Sequence, residues 1–229
     1  MNLTIIGTSH IAKQSVDEIK TFIETQKPDI VAVELDIQRA AALMQEQKNK
    51  VSLGDILQIG LKGYIFVKIG QIVQEKLGKM VGVAPGSDMK TAINLAKKEK
   101  LDVVFIDQPI RITLKNFSKQ LTWRERFRFL GEMVKGLLFP KKQMRDMGMT
   151  NFDLTKVPAE EVIEKLVGQM RQKYPSVYKT LISDRNKYMV KSLVKIMRKY
   201  PDKRILAVVG AGHKKGMEAL LLKVDIVNE

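Results

Sequence analysis

The sequence predicts an α/β fold: a mainly parallel central sheet built from βαβ units, with a helical insertion between the first and last units. Apolar, β-branched runs at 2–6, 29–35, 102–107 and 204–209 are typical of buried strands. The first two runs are separated by a single helical pattern, which is the spacing of a βαβ unit with a parallel strand pair. Each later run is likewise flanked by helical patterns, so we expect all of these strands to share one sheet.

Helical patterns fill the intervals between the predicted strands. Ser15-Val16-Asp17-Glu18 has the spacing of a capping box, so the first helix is predicted to begin near Ser15 and to end before Pro28. A short strand is predicted at Val224–Val227, after the last helix. The other predicted helices cover 37–47, 55–78, 89–100, 121–139, 158–173, 184–200 and the residues that follow position 213 up to 222.

The length of 229 residues favours one domain spanning 1–229, with largely helical segments at 51–84 and 115–203. Within the second segment, Trp123, Phe127, Leu130, Val134 and Leu137 recur at helical spacing among arginines and a lysine. Core packing is the common explanation of such an apolar stripe. The alternative is a basic amphipathic helix that lies on an anionic membrane surface.

The composition limits the binding partners and the cellular compartment that we expect for this protein. Forty Lys and Arg residues against 25 Asp and Glu give a net charge of +15, which raises nucleic acid and anionic lipid as partners. Nucleic acid is not favoured, because aromatic residues are only 6% and no nucleic-acid-binding motif is present. The absence of cysteine, of a signal-peptide pattern and of a membrane-length apolar stretch favours a cytoplasmic protein.

The chain has two histidines, and each closes a Gly-x-x-His motif that directly follows a predicted strand. The motifs are Gly7-Thr8-Ser9-His10 and Gly210-Ala211-Gly212-His213. A single histidine after a strand is most often structural, and the glycines alone can serve a tight turn. Two copies of the same arrangement at opposite ends of the chain favour two halves of one site, and imidazole suits both metal ligation and proton transfer.

Acidic residues follow two further strands. Ligands bind at the carboxyl ends of strands in open parallel sheets, so Glu34 and Asp107 are expected near the two histidines. His10, His213 and Glu34 form a plausible set of ligands for a divalent metal, although Glu34 can equally act as the general base. Asp36 is predicted to cap the following helix. Arg185 begins another predicted helix and is a candidate for oxyanion or carboxylate binding, with a surface ion pair as the equal alternative.

Six stretches in this order resemble the TraB/PrgY/GumN family, which is related at longer range to Tiki proteases and to erythromycin esterase-like and ChaN-like proteins. They span nearly the whole chain, and the ordered set is more specific than any one of them. The stretches are Gly7–His10, Val31–Asp36, Pro85–Met89, Phe105–Asp107, Asp184–Met189 and Val208–His213.

The resemblance implies an α/β fold with His10, His213, Glu34 and Arg185 in the active site. It implies metal-dependent cleavage of a peptide, as in Tiki proteins, with manganese or cobalt favoured and zinc as an alternative. For TraB and PrgY it implies shutdown of a peptide pheromone by cleavage or sequestration. A metal-free esterase-like hydrolase and a non-catalytic protein that binds a peptide or haem remain open, as does homo-oligomerisation.

Two features depart from the family pattern. The third strand is followed by Asp107-Gln108, where the resemblance leads us to expect Asp-Arg, so no role is assigned to an arginine there. Many microbial members continue into C-terminal membrane helices, whereas this sequence stops at Glu229. Membrane association, or origin as the soluble domain of a membrane-anchored protein, is therefore retained as an expectation.

Overall fold

A computed structural model of the chain describes residues 2–8, 13–45, 86–138 and 160–227. Its sheet contains four parallel strands in the order β1-β4-β2-β3. The strands are β1 (Leu3–Thr8), β2 (Ile30–Val33), β3 (Asp102–Phe105) and β4 (Ile205–Gly210). This arrangement confirms the predicted α/β fold and places the first and last strands of the chain side by side.

The helices of the described residues surround this sheet. Their bounds are α1 (Lys13–Gln26), α2 (Ile37–Met44), α3 (Ser87–Lys98), α4 (Ile110–Gln120), α5 (Trp123–Leu138), α6 (Glu160–Lys173), α7 (Pro175–Tyr178), α8 (Asp184–Lys199) and α9 (Ala211–Val227). A π-helical turn, Lys179–Ser183, joins α7 to α8. The helices α4 to α8 lie between β3 and β4 in the chain, as the predicted helical insertion requires.

Hydrophobic clusters cover both faces of the sheet. Alternate residues of a strand point to opposite faces, so Val31 and Val33 enter one cluster while Ile30 and Ala32 enter the other. The first cluster includes Ile19 of α1 and Ile93 of α3, and the second is built mainly from α8 and α9. The central strands β2 and β4 are buried at every position, which explains their continuous apolar runs.

Two local predictions at the ends of helices are wrong. Helix α1 begins at Lys13, so Ser15 lies inside its first turn and is fully buried rather than acting as the cap. The strand predicted at Val224–Val227 is the end of α9. Leu220, Leu221 and Val224 are three or four residues apart and pack on the same cluster, so helical packing outweighs the β propensity of this short run.

Other local predictions are confirmed, and some lie outside the described residues. Asp36 caps α2 by accepting hydrogen bonds from the backbone N–H groups of Gln38 (2.9 Å) and Arg39 (3.1 Å). The helix predicted at 55–78, within the segment 51–84, is outside the described residues. In the part of the chain that is described, no helix has both the length and the apolar character needed to cross a bilayer.

Candidate active site

Glu34 lies at the carboxyl edge of the sheet, directly after β2. Its backbone N–H continues the pairing of β2 with β4 by donating to the carbonyl oxygen of Val208 at 3.0 Å. Its side chain is buried, and Oε2 accepts a hydrogen bond from the backbone N–H of Gly210 at 2.5 Å. The carboxylate is therefore held against the point where β4 passes into α9.

His213 is also buried and lies in the first turn of α9, three residues after the end of β4. Its Nε2 is 3.3 Å from Oε1 of Glu34 and 3.0 Å from Nη1 of Arg185, while Nδ1 is 2.6 Å from Oδ1 of Asn186. The distance to Glu34 alone would suit a protonated ring. A guanidinium can only donate, however, so Nε2 must accept from Arg185. We therefore assign the proton to Nδ1, which donates to Asn186.

Arg185, in the first turn of α8, connects the site. Every N–H of its guanidinium has an acceptor: Nε and Nη2 donate to Asp107, Nη2 also to Glu34, and Nη1 to His213 and the carbonyl of Leu181. Burial alone would lower the pKa of Arg185, but the carboxylates of Glu34 and Asp107 outweigh this effect and raise it above its ordinary value. The group is therefore a permanent buried cation.

Asp107, which was not among the predicted metal ligands, is part of the same network. Its carboxylate accepts from Arg185 Nη2 at 2.7 Å, from Arg39 and from the backbone N–H of Gln108 at 2.8 Å. Arg39 in turn donates from Nε to Asp36 at 2.8 Å. The arginine that the family pattern leads us to expect after Asp107 is absent, but two arginines from α2 and α8 reach this carboxylate.

The sequence analysis did not identify Asn186 and Gly216 as contributors to the site. Asn186 is buried beside His213, and a Cβ atom added to Gly216 would lie 2.3 Å from Nδ2 of Asn186. Gly216 therefore allows the amide to approach α9 closely enough to hold the imidazole. The only available signal for Asn186 was its position beside Arg185 in the stretch Asp184–Met189; Gly216 had none.

The π-helical turn precedes both Arg185 and Asn186. Such turns insert one residue into a helix and are frequent at functional sites. Here the turn Lys179–Ser183 changes the rotational register of α8 relative to α7. Its Leu181 carbonyl accepts a hydrogen bond from Nη1 of Arg185 at 3.2 Å, so the turn also helps to fix the guanidinium.

His10 lies outside the described residues, so its predicted proximity to His213 stays a prediction. The strand from which it emerges is described. Thr8, at the end of β1, pairs with Gly210 at the end of β4, so both Gly-x-x-His motifs start from neighbouring strands. The hydroxyl of Thr8 donates to Oδ2 of buried Asp88 at 2.5 Å, which ties β1 to the beginning of α3.

The donor set fits a divalent metal in part. Nε2 of His213 and Oε1 of Glu34 converge at 3.3 Å, and an unprotonated Nε2 is the form of histidine that binds metal. Among the described residues, no group of three or more His, Cys, Asp and Glu side chains is arranged to hold an ion. His10 is the predicted further ligand, and Arg185 now supplies the positive charge beside both donors.

A cleft of about 400 Å³ adjoins the site between α6 and α9. The small residues Gly212 and Gly216 of α9 lie along one side, and Val167 of α6 and Ile182 of the π-helical turn form apolar walls. Asn186 also lines the cleft and contacts His213, so the cleft reaches the residue that orients the imidazole. Its size falls within the range of small-ligand pockets.

The fold and site define a class of α/β protein in which a buried Glu–Arg–His network lies at the carboxyl edge of a parallel sheet. The chain belongs to the TraB/PrgY/gumN family, whose sequence profile matches residues 2–224. The match spans almost the entire chain and confirms the family indicated by the six ordered stretches.

Similar proteins occur in archaea and mammals. An uncharacterized protein of Methanocaldococcus jannaschii is 31% identical over all of this chain and 55% of its own length. TraB domain-containing proteins of mouse and human are each 25% identical over 93% of this chain and 61% of their own. The chain thus spans between half and two thirds of the length of these relatives.

Among solved structures, a mutant of the erythromycin esterase EreC in its open conformation resembles this chain. The likeness covers 91% of this chain and 60% of the esterase, with 13% sequence identity and a TM-score of 0.31. A score this low supports no functional inference.

Proposed function

We propose that this protein is a metal-dependent hydrolase that cleaves a peptide bond, with His213 and His10 as metal ligands, Glu34 as a further ligand or as the general base, and Arg185 beside them. Family membership gives the general context, and the geometry of the described residues supports the assignment of roles. The single observation that carries the proposal is the pair formed by Nε2 of His213 and Oε1 of Glu34. These two atoms belong to buried side chains and lie 3.3 Å apart, and each has a lone pair that accepts a hydrogen bond from the Arg185 guanidinium in this structure.

The network around this pair orients both groups. Asn186 accepts from Nδ1 of His213 and thereby leaves Nε2 unprotonated on the side of Arg185 and Glu34, as residues behind metal ligands commonly do. The backbone N–H of Gly210 fixes Oε2 of Glu34, which leaves Oε1 facing the histidine. The side chains therefore enter the reaction already oriented, which reduces the cost of organising the transition state.

A bound divalent metal would polarise the scissile carbonyl and lower the pKa of a water molecule. Glu34 accepts the proton of the attacking water at Oε1, or contributes this atom as a ligand. Either role requires Arg185 to release Oε1, to which its Nη2 donates, and metal binding also requires it to release Nε2 of His213, to which its Nη1 donates. Once released, the guanidinium remains anchored to Asp107 and can donate to the negative charge that develops on the substrate.

The cleft beside the site suits a peptide segment. Its walls at Val167 and Ile182 are apolar, and its charged lining residues are of both signs, with Arg171 and Lys214 among the basic ones and Glu160 and Glu164 the acidic ones. Apolar walls accept a hydrophobic side chain, and the basic lining residues can pair with a carboxylate. A signalling peptide, which combines apolar side chains with a terminal carboxylate, matches these properties.

A metal-free hydrolase is the second candidate, and the position of Arg185 favours it. The guanidinium already provides a fixed positive charge beside Glu34 and His213. His213 would then act as general base through Nε2, with its proton-bearing Nδ1 held by Asn186. This candidate predicts hydrolysis that a chelator does not affect.

Metal content provides the first test. The 229-residue protein is stripped with a chelator, reloaded separately with manganese, cobalt or zinc, and analysed by mass spectrometry for bound metal. We expect close to one ion per chain in the wild type, loss of the ion in His10→Ala and His213→Ala, and turnover of a peptide library only by the loaded protein. Glu24→Gln, at an exposed position on α1, serves as the matched control.

Several outcomes would contradict the proposal. Absence of metal under every loading condition, or full metal content in both histidine variants, would exclude the predicted ligand set. Cleavage that persists after chelation would favour the metal-free candidate. Saturable peptide or haem binding without turnover, retained in Glu34→Gln, would identify a binding protein instead. The metal content of Glu34→Gln also distinguishes the two roles of Glu34. A variant that retains the metal has lost a base, because a base is not needed to hold the metal, whereas a variant that loses the metal has lost a ligand.

A further inference from the structure

Helix α5 is attached to the rest of the protein through its polar face. Glu125, Arg128 and Glu132 recur at spacings of three and four residues and therefore lie on one side of the helix. Oε1 of Glu125 accepts from the backbone N–H of Ser176 at 2.7 Å. Tyr174 donates to Glu132 at 2.5 Å, so α5 is fixed against the junction of α6 and α7.

The same helix exposes three large aromatic side chains, Trp123, Phe127 and Phe129, of which the first two are the most exposed. Trp123 and Phe127 are each 67% exposed, and their rings stack with centroids 6.1 Å apart. The core-packing explanation of this apolar stripe is therefore wrong for these two residues. We call Trp123 and Phe127 the aromatic face of α5. Exposure of adjacent large aromatic residues is unusual for a surface that contacts only water.

The charge around the aromatic face is strongly positive. Residues 110–138 contain seven basic and two acidic residues. Both acids, Glu125 and Glu132, are engaged with α6 and α7. Arg126 lies over the ring of Trp123 at 4.7 Å, and Arg124 is exposed beside it.

From the juxtaposition of these groups, we propose that the aromatic face of α5 docks on an anionic lipid surface. Tryptophan is favoured at the boundary between headgroups and hydrocarbon, where its ring is apolar and its N–H stays hydrated. Arginines beside it attract anionic headgroups. A second copy of this chain is a poorer match, because it would bring a net charge of +15 against an already basic surface.

Trp123 is the single tryptophan of the sequence, so its fluorescence reports directly on the proposed face. The 229-residue protein is titrated with vesicles of phosphatidylcholine containing about one third phosphatidylglycerol, and with vesicles of phosphatidylcholine alone. We expect the emission to move to shorter wavelength with the anionic vesicles and the shift to diminish at high salt. Brominated lipids should then quench Trp123.

Matched variants separate this face from general attraction of a basic protein. Arg124→Gln should weaken partitioning about fivefold, which corresponds to one basic residue near an anionic surface. Phe127→Ser should weaken it further. Lys20→Gln removes an exposed charge on α1, and Leu222→Ser removes an exposed apolar side chain on α9; both should bind like the wild type. Circular dichroism confirms that each variant is folded.

The proposal would be overturned if anionic vesicles left the emission of Trp123 unchanged, or if Phe127→Ser bound as tightly as the wild type. A lipid-independent emission shift that accompanies dimer formation at higher protein concentration would assign the face to a second copy. None of these measurements depends on metal or on hydrolysis.

Discussion

Oδ1 of Asn186 lies 2.6 Å from Nδ1 of His213 and accepts a hydrogen bond from it, which links α8 to α9. Because Nδ1 is the donor, Nε2 keeps a lone pair and faces Glu34 and Arg185. One amide therefore selects the tautomer that the proposed chemistry requires.

Replacement of Asn186 tests this selection. Asn186→Ala should lower the affinity of the chelator-stripped protein for manganese about 10- to 100-fold, because the imidazole loses its orientation. Asn186→Asp retains an acceptor for Nδ1 and should preserve most of the affinity. Isothermal titration with manganese compares both variants. Equal affinity in Asn186→Ala and the wild type would show that the amide does not position His213.

Gly216→Ala should disturb the site through Asn186. The new Cβ would lie 2.3 Å from Nδ2, so Asn186 or α9 must move and the protein should lose stability. The matched control is Gly168→Ala in α6, where an added Cβ meets nothing within 4 Å. This control should gain about 0.5–1 kcal/mol of stability, as alanine is preferred within helices. Denaturant unfolding measures both, and a stabilised Gly216→Ala would contradict the close approach.

Arg185→Ala should reduce the free energy of unfolding by about 3–5 kcal/mol, since it leaves the buried carboxylates of Glu34 and Asp107 without their shared cation. If these residues also bind metal, manganese should raise the melting temperature of this variant more than that of the wild type. Lys179→Ala breaks a more exposed ion pair with Asp184 and should cost no more than about 1 kcal/mol. Equal losses in both variants would argue against a buried network.

Glu125→Gln should reduce the dependence of stability on acid pH. Burial opposes the shift, but hydrogen bonds from Thr122 and Ser176 outweigh it and lower the pKa of Glu125 below its ordinary value of 4.5. A carboxyl group with a lowered folded pKa stabilises the protein above its unfolded pKa, and this contribution disappears as the pH falls through the folded pKa. The variant should therefore be less stable at pH 7 and differ little from the wild type near pH 2.

Unfolding of both proteins by urea across this pH range measures the difference. Glu160→Gln, at an exposed position in the first turn of α6, is the control and should follow the wild-type profile. A constant difference between Glu125→Gln and the wild type at every pH would assign the loss to packing rather than to charge.

The sequence predicted the elements that depend on local pattern. Apolar runs identified the four strands, most clearly β2 and β4, because central parallel strands that are buried on both faces need apolar residues at every position. Strand ends then pointed to Glu34 and Asp107, and the two Gly-x-x-His motifs identified His213 and His10. Local pattern failed at Val224–Val227, where contacts with α8 and the sheet favour helix over strand.

The contacts that bring these residues together in one site could be identified only from the tertiary structure. The hydrogen bond from Gly210 to Glu34 joins residues 176 positions apart, and Arg185 meets Glu34 across 151 positions. Spacing along the chain carries no information about such contacts. The same limit concealed the roles of Asn186 and Gly216, whose importance comes from one close approach between α8 and α9.

By itself, the sequence determined the fold class, the family and the residues capable of chemistry, because apolar periodicity and motif order are local properties of the chain. Only the tertiary structure decided that Arg185 has an acceptor for every N–H, that His213 carries its proton on Nδ1 and that α5 turns its aromatic residues outward. Each of these outcomes depends on which surfaces of helices that are far apart in the sequence come into contact. Packing in the folded chain determines those contacts.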